Sequence, residues 1–241
     1  RERDKFIIQG GADQPYVIAN HRVRGHLVEE LLPVGWWRSV GESQNIFFNE
    51  SIMDELAHAA QLDPLEMRLS MLRHGPSRRV LKRVAALSDW GAPLPPNRTR
   101  GLAYARASGQ ATAQVLEIEQ TPVGIRLIKA WISVDVGIAL DPRNIEAQVE
   151  GALLFGLSAA IFGEITIRDG QVEQDNFDSY PLLRLNQAPD VAVDIMESGK
   201  RIYGVGEAGT PTAAPALGNA LFAATGERIR TLPFGRHVRF A

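Results

Sequence analysis

Cysteine is absent from the 241 residues. That excludes disulfides, a thiolate nucleophile and cysteine ligands for zinc or an iron–sulfur cluster. Neither sign of charge dominates, since 26 Lys and Arg stand against 28 Asp and Glu for a formal net of −2. Nucleic acid and an anionic membrane surface therefore find no electrostatic counterpart. No uninterrupted apolar run reaches the length of a membrane span. Histidine is sparse: the five, His21, His26, His58, His74 and His237, are scattered. None pairs with another at helical metal-binding spacing, so a metal held mainly by protein side chains is not expected. Walker and G-x-S-x-G motifs are missing too. Arg1 is not a methionine and Arg1 to Asp4 has no leader character, so an excised or processed piece is expected and the compartment stays open. What remains is an ordinary globular mixture, 45% hydrophobic and 22% charged, long enough to bury a core.

Short apolar runs at Phe6-Ile7-Ile8, Tyr16-Val17-Ile18 and Val23 to Val28 predict strands, and Pro33-Val34-Gly35 breaks the pattern. Trp36-Trp37-Arg38-Ser39-Val40-Gly41 is a loop whose tryptophans are expected to be buried against core or a partner. Residues 44–60 predict a helix with Phe48, Ile52, Leu56 and Ala60 as its apolar stripe, widened by Met53. Asp63-Pro64 opens a second helix that Gly75 stops near His74, and Ser77 caps a third through Val80, Val84 and Leu87. A Pro- and Gly-rich loop, 91–97, separates two expected sub-lobes, 1–96 and 97–241. Strands are predicted at 102–107, 113–119, 125–136 and 191–196, a hairpin around Asp169-Gly170, and an apolar central helix after Asp141-Pro142. The mixed order of strands and helices points to an α+β fold with mixed sheets and packed helices.

The stretch Gly204-Val205-Gly206-Glu207-Ala208-Gly209 precedes an Ala-rich helix running from Pro211 to Thr225. It matches the dinucleotide pattern G-x-G-x-x-G, but no strand runs into it, which weighs against a dinucleotide site. A carboxylate held by a glycine loop before an electropositive helix end is suited to general-base work. Arg38-Ser39, Asp141 to Asn144 and the Glu207 loop each stand before a helix start, where free N–H groups bind anions.

Several motifs in register resemble the molybdenum hydroxylases, the xanthine dehydrogenase and aldehyde oxidase family, and among them the isoquinoline 1-oxidoreductase and aldehyde dehydrogenase subunits. They are Trp36 to Gly41 with Phe47 to Ala57, Val134 to Gly137 with Asp141-Pro142, Ala147 to Ala152, Gln174 to Tyr180, Gly204 to Glu207 and Pro215 to Ala220. The resemblance implies that Glu207 is the general base acting on a molybdenum-bound hydroxyl. It implies that Gln148 contacts the pterin, with Arg38, Ser39 and Gly206 beside the cofactor. It implies molybdopterin, in its cytosine dinucleotide form, and an aldehyde or N-heterocycle as substrate. The family's M-G-Q-G segment has no counterpart, and Ser108-Gly109-Gln110 does not match it. The chain thus resembles the C-terminal portion of a molybdopterin-binding domain. An N-terminal part of the same subunit and a separate [2Fe–2S] subunit are implied as partners. A fragment or assembly module that binds no cofactor alone is the alternative.

Overall fold

Three long strands in succession form the scaffold of the computed structural model, which describes residues 5–28, 35–199 and 201–241. They are β1 (Arg98–Ala107), β2 (Gln110–Thr121) and β3 (Gly124–Asp135), paired antiparallel through tight turns. β1 outruns its apolar stretch because its polar start pairs across to β2: Arg98 meets Glu119, and Arg100 meets Glu117. The chain then crosses through helix α4 (Pro142–Phe162), makes a hairpin of β4 (Ile167–Arg168) and β5 (Gln171–Val172), and returns as β6 (Asp190–Met196) parallel to β3. The sheet order β1-β2-β3-β6 is mixed, and helices cover both faces, as expected for an α+β fold.

The period of two along each strand divides the core. Ala103, Leu116, Ile118, Ile132 and Val134 face α4 and α5 (Ala213–Thr225). Leu102, Tyr104, Ala113, Val115 and Trp131 face α2 (Pro64–Met71) and α3 (Gly75–Leu87). Helix α5 lies so close to β1 that a Cβ on Gly101 would sit 2.1 Å from the Ala216 carbonyl oxygen. Helix α4 is long and apolar enough, by length and composition only, to cross a membrane, yet half of that stretch is buried inside the fold. Arg143, Glu146 and Glu150 interrupt its apolar run, which is why a search for uninterrupted runs passes over it.

Several expectations are corrected. Residues 6–8, 16–18 and 23–28 are not strands: Lys5–Ile8 is a 3₁₀ turn, and Tyr16 makes only an isolated bridge to Leu72. The side chain of Asn45 takes the carbonyls of Ile7 and Gln9, and the Val17 N–H bonds to the Met71 carbonyl. Residues 33 and 34 of the expected break lie outside the described residues. Gly75 opens α3 rather than ending the helix before it, and His74 stands at the cap. Ser77 turns inward, where its hydroxyl meets His74 Nδ1 at 2.7 Å and Tyr104 Oη at 2.5 Å.

Helix α1 (Val40–Ala59) shows the largest reversal. Phe48, Ile52 and Leu56, expected in the core, are about half exposed, and the buried face carries Glu42, Ile46, Glu50, Met53, Asp54 and Ala57. The carboxylates go in because their partners lie inside. Glu50 pairs with Arg68 at 2.8 Å, both essentially without solvent contact. It also accepts from Tyr16 Oη at 2.6 Å and from the Tyr104 N–H at 2.8 Å. Arg68 in turn donates to the carbonyls of Pro64 and Glu50. Burial, then the Glu50 charge, hold the Tyr16 hydroxyl protonated well beyond its ordinary range. Asp54 pairs with Arg228 at 2.6 Å.

Candidate active site

Helix α1 starts from a bend that L-residues seldom adopt, with Ser39 at φ 71° and Val40 at φ 48°. Each such residue costs about 1–3 kcal/mol and persists only where its surroundings enforce it. Two hydrogen bonds hold the bend. Val40 N–H donates to the Trp37 carbonyl at 2.9 Å, and Ser43 Oγ donates to the Arg38 carbonyl at 2.7 Å. The bend turns the Ser39 N–H toward Glu207 Oε1, 2.9 Å away, while Ser39 Oγ donates to the Glu207 carbonyl at 3.2 Å.

Arg38 closes the same ring. Its Nε donates to the Gly206 carbonyl at 2.6 Å, and its Nη2 reaches the Gln148 side-chain oxygen at 3.4 Å. Its guanidinium lies over Phe155, whose ring packs against Trp37. Gln148 stands on α4, and the Glu207 loop is fastened to that helix a turn further on. A Cβ at Gly209 would lie 2.5 Å from the Val149 carbonyl oxygen, and Thr210 Oγ1 donates to the Ala152 carbonyl at 3.1 Å. We expect Gly209→Ala to force loop and helix apart at a cost of about 2 kcal/mol. Thermal unfolding of the variant checks this; an unchanged melting temperature would show that the close approach is not obligatory.

Residues far apart in sequence thus meet: Arg38 and Ser39 from the start of α1, Gln148 from α4, Gly206 and Glu207 from the loop before α5. Ser39 is buried, Arg38 and Glu207 are partly so, and Gly206 and Gln148 face outward. Asp141 caps its own helix by accepting from the Asn144 N–H, and it is Gln148, two turns in, that joins the ring. The glycine loop has no strand running directly into it, since β6 ends at Met196. Trp36 is 73% and Trp37 42% exposed, so neither is buried in the core of this chain.

The donor set is guanidinium, carboxamide, carboxylate and backbone. Among the described residues no group of three or more His, Asp and Glu is placed to hold a metal ion. A Cβ at Gly204 would meet nothing within 4 Å, and one at Gly206 only the Gln148 oxygen at 4.0 Å, so this side of the loop opens outward. Such a surface fits a polar organic group that brings its own metal ligands.

Inspection of motifs misses what lies behind the ring. Glu42 is 2% exposed, as are Gln110, Thr112 and Gln114 to an even smaller degree. The only local signal is spacing, which marks a shared face but not its burial: Glu42, Glu50 and Asp54 recur at near-helical spacing along α1, and Gln110, Thr112 and Gln114 alternate along β2.

A family model described as a molybdopterin cofactor-binding domain matches residues 44–189, and a second of the same description matches 6–72. The chain belongs to the molybdopterin cofactor-binding domain family. This molybdopterin-binding chain is 31% identical over 224 residues to the isoquinoline 1-oxidoreductase subunit beta of Brevundimonas diminuta, covering 90% of the chain and 29% of that protein. It is 32% identical over 257 residues to the membrane-bound aldehyde dehydrogenase [pyrroloquinoline-quinone] of Gluconacetobacter polyoxogenes, covering 95% of the chain and 33% of that protein. It spans about a third of the length of these relatives. Its fold is also that of quinoline 2-oxidoreductase from Pseudomonas putida 86, with TM-score 0.71 at 12% identity over 84% of this chain and 52% of that one.

Proposed function

We propose that the chain is the C-terminal portion of the molybdopterin-binding subunit of a molybdenum hydroxylase. The complete enzyme hydroxylates an N-heteroaromatic ring or oxidises an aldehyde, with water as the oxygen source. The observation that carries this reading is the ring closed by Arg38, Ser39, Gln148, Gly206 and Glu207 on an outward-facing surface. The names of two relatives, an isoquinoline oxidoreductase and an aldehyde dehydrogenase, support the substrate classes.

Molybdopterin, in its cytosine dinucleotide form, would supply the metal, the metal's ligands and the capacity to accept electrons. The chain's residues do the rest. Gln148 presents a carboxamide to the pterin, and Arg38 fixes that carboxamide and the Gly206 carbonyl relative to each other. Ser39 N–H holds Glu207 Oε1, which fixes the carboxylate's orientation and leaves Oε2 to take a proton from the hydroxyl that becomes the nucleophile. An N-terminal part of the same subunit completes the pocket, and a [2Fe–2S] subunit receives the electrons. In the full-length parent, Gln148→Ala is expected to lower cofactor occupancy by about tenfold, the size typical for loss of one charged or bidentate partner. Molybdenum and pterin per chain, measured in the purified protein, read it out. Full occupancy would remove Gln148 from the cofactor site.

A further inference from the structure

Behind the Ser39–Glu207 contact lies a second carboxylate that the proposed reaction does not use. Glu42 Oε1 accepts from the Ser108 N–H at 2.9 Å and from Gln9 Nε2 at 3.2 Å. Its Oε2 is buried and has no hydrogen-bond partner among the described residues. No cation pairs with it among those residues. The titratable groups that act on it are Asp13, after the 3₁₀ turn, and Glu207, before α5, both carboxylates that disfavour its ionisation.

The neighbouring strand points a polar row at the same space. Ile46, one turn beyond Glu42, touches Ala105 and Ala107 on β1. Their cross-strand partners are Thr112 and Gln110, and Gln114 stands opposite Ala103, so all three share that face of the sheet. Gln110 has neither amide atom partnered, Thr112 Oγ1 is unpartnered, and Gln114 Nε2 is unpartnered although its oxygen accepts from Thr212 Oγ1 at 2.8 Å. Successive side chains on one face of a strand are about 7 Å apart. The row therefore runs about 14 Å, from the turn that touches Glu42 to the start of α5 beyond the Glu207 loop. Native interiors rarely leave such atoms unbonded, and waters making about three bonds each are the usual partners.

We propose that Glu42 is the proton partner of Glu207, joined to it by buried water held along Gln110, Thr112 and Gln114. The inference rests on Glu207 being the base. A proton taken up at Glu207 Oε2 passes along the file to the Glu42 carboxylate, which returns Glu207 to its base form and leaves the pair with one shared proton. Burial, then repulsion by the other two carboxylates, raise Glu42 from its ordinary value, against the two hydrogen bonds that lower it, which suits it to take a proton. Glu42 is a positioning residue in this scheme: it acts on the reaction only through Glu207.

The test uses the full-length holoenzyme and reads infrared carboxyl bands as well as rate against pH. Glu42→Gln keeps an oxygen for Ser108 and Gln9 but cannot ionise. It is expected to remove one titrating carboxyl band and to move the acid limb of kcat/KM down by about one pH unit, the scale of coupling for such a pair. Thr112→Val, which removes one hydroxyl at constant shape, is expected to move the limb the same way by a smaller amount without losing a band. An unchanged limb in both variants overturns the proposal, even if Glu42→Gln folds poorly, because Thr112→Val then decides. Loss of rate without a shift in the limb also overturns it, since that would be a structural effect. The base reading fails separately: Glu207→Gln would then keep turnover whatever the Glu42 band does.

Discussion

Glu207→Gln in the complete enzyme is expected to keep the cofactor and lose turnover by about 10²–10⁴-fold, the range that a positioned general base contributes. The substitution is close to isosteric, and the carboxamide oxygen still accepts from the Ser39 N–H, the contact that orients the side chain. The Ser39 hydroxyl bonds to the residue 207 backbone, which the change does not touch. Molybdenum content and melting temperature should therefore match the parent while kcat falls and KM changes little. The loss should persist at every pH, because an amide cannot be titrated into a base. Turnover within a few-fold of the parent would assign the proton transfer to another group.

Removing either member of the Glu50–Arg68 pair should be the most destabilising single change in the chain. The two are the hub of a closed network: Glu50 serves Tyr16, Arg68 and the Tyr104 N–H, and Arg68 serves two backbone carbonyls. The network joins α1, α2 and β1 with no solvent contact at its centre. Glu50→Ala leaves a buried guanidinium without its counter-charge, a situation that costs about 3–5 kcal/mol. Whole domains are stable by only about 5–15 kcal/mol, so the variant should lie near the edge of folding. Chemical denaturation of Glu50→Ala and Arg68→Ala reads the loss. The double replacement Glu50→Leu with Arg68→Met should lose less than either single change, because no unpaired charge remains. A loss under about 1 kcal/mol for Glu50→Ala would mean that the pair is not what holds these elements together.

The sheet was readable before the structure because its strands alternate between two apolar faces and are bounded by Gly and Pro turns. The central helix α4 was readable from its apolar width and the Asp141-Pro142 start. Helix α1 was readable in extent but not in orientation. Its most regular apolar stripe, Phe48-Ile52-Leu56, faces out, and the acidic stripe faces in. Hydrophobic spacing cannot reveal that reversal, because the cause is a cation on α2 and another beyond α5 that lie next to α1 only once the chain has folded. The segments before α1 failed for a related reason: their backbone bonds to groups on the helices, Ile7 and Gln9 to the Asn45 side chain and Val17 to the Met71 carbonyl, and no local pattern announces those partners.

The five site residues were nameable from motif resemblance, but their closure was not. Nothing local to Trp36–Gly41 announces that Ser39 and Val40 take left-handed backbone angles, or that the bend aims an N–H at a carboxylate 168 positions away. The polar row on β2 was hidden differently. Gln110, Thr112 and Gln114 look like the exposed side of an alternating strand, and only the packing of α1 and α5 over that face buries them.

The most direct measurement is an experimental density map of the full-length parent with its cofactor bound. The account predicts pterin density against Gln148 and Gly206, with the metal facing the Glu207 carboxylate and Arg38 still bridging the two elements. Cofactor density elsewhere on the molecule, with the Arg38–Glu207 ring facing only protein or solvent, would contradict it.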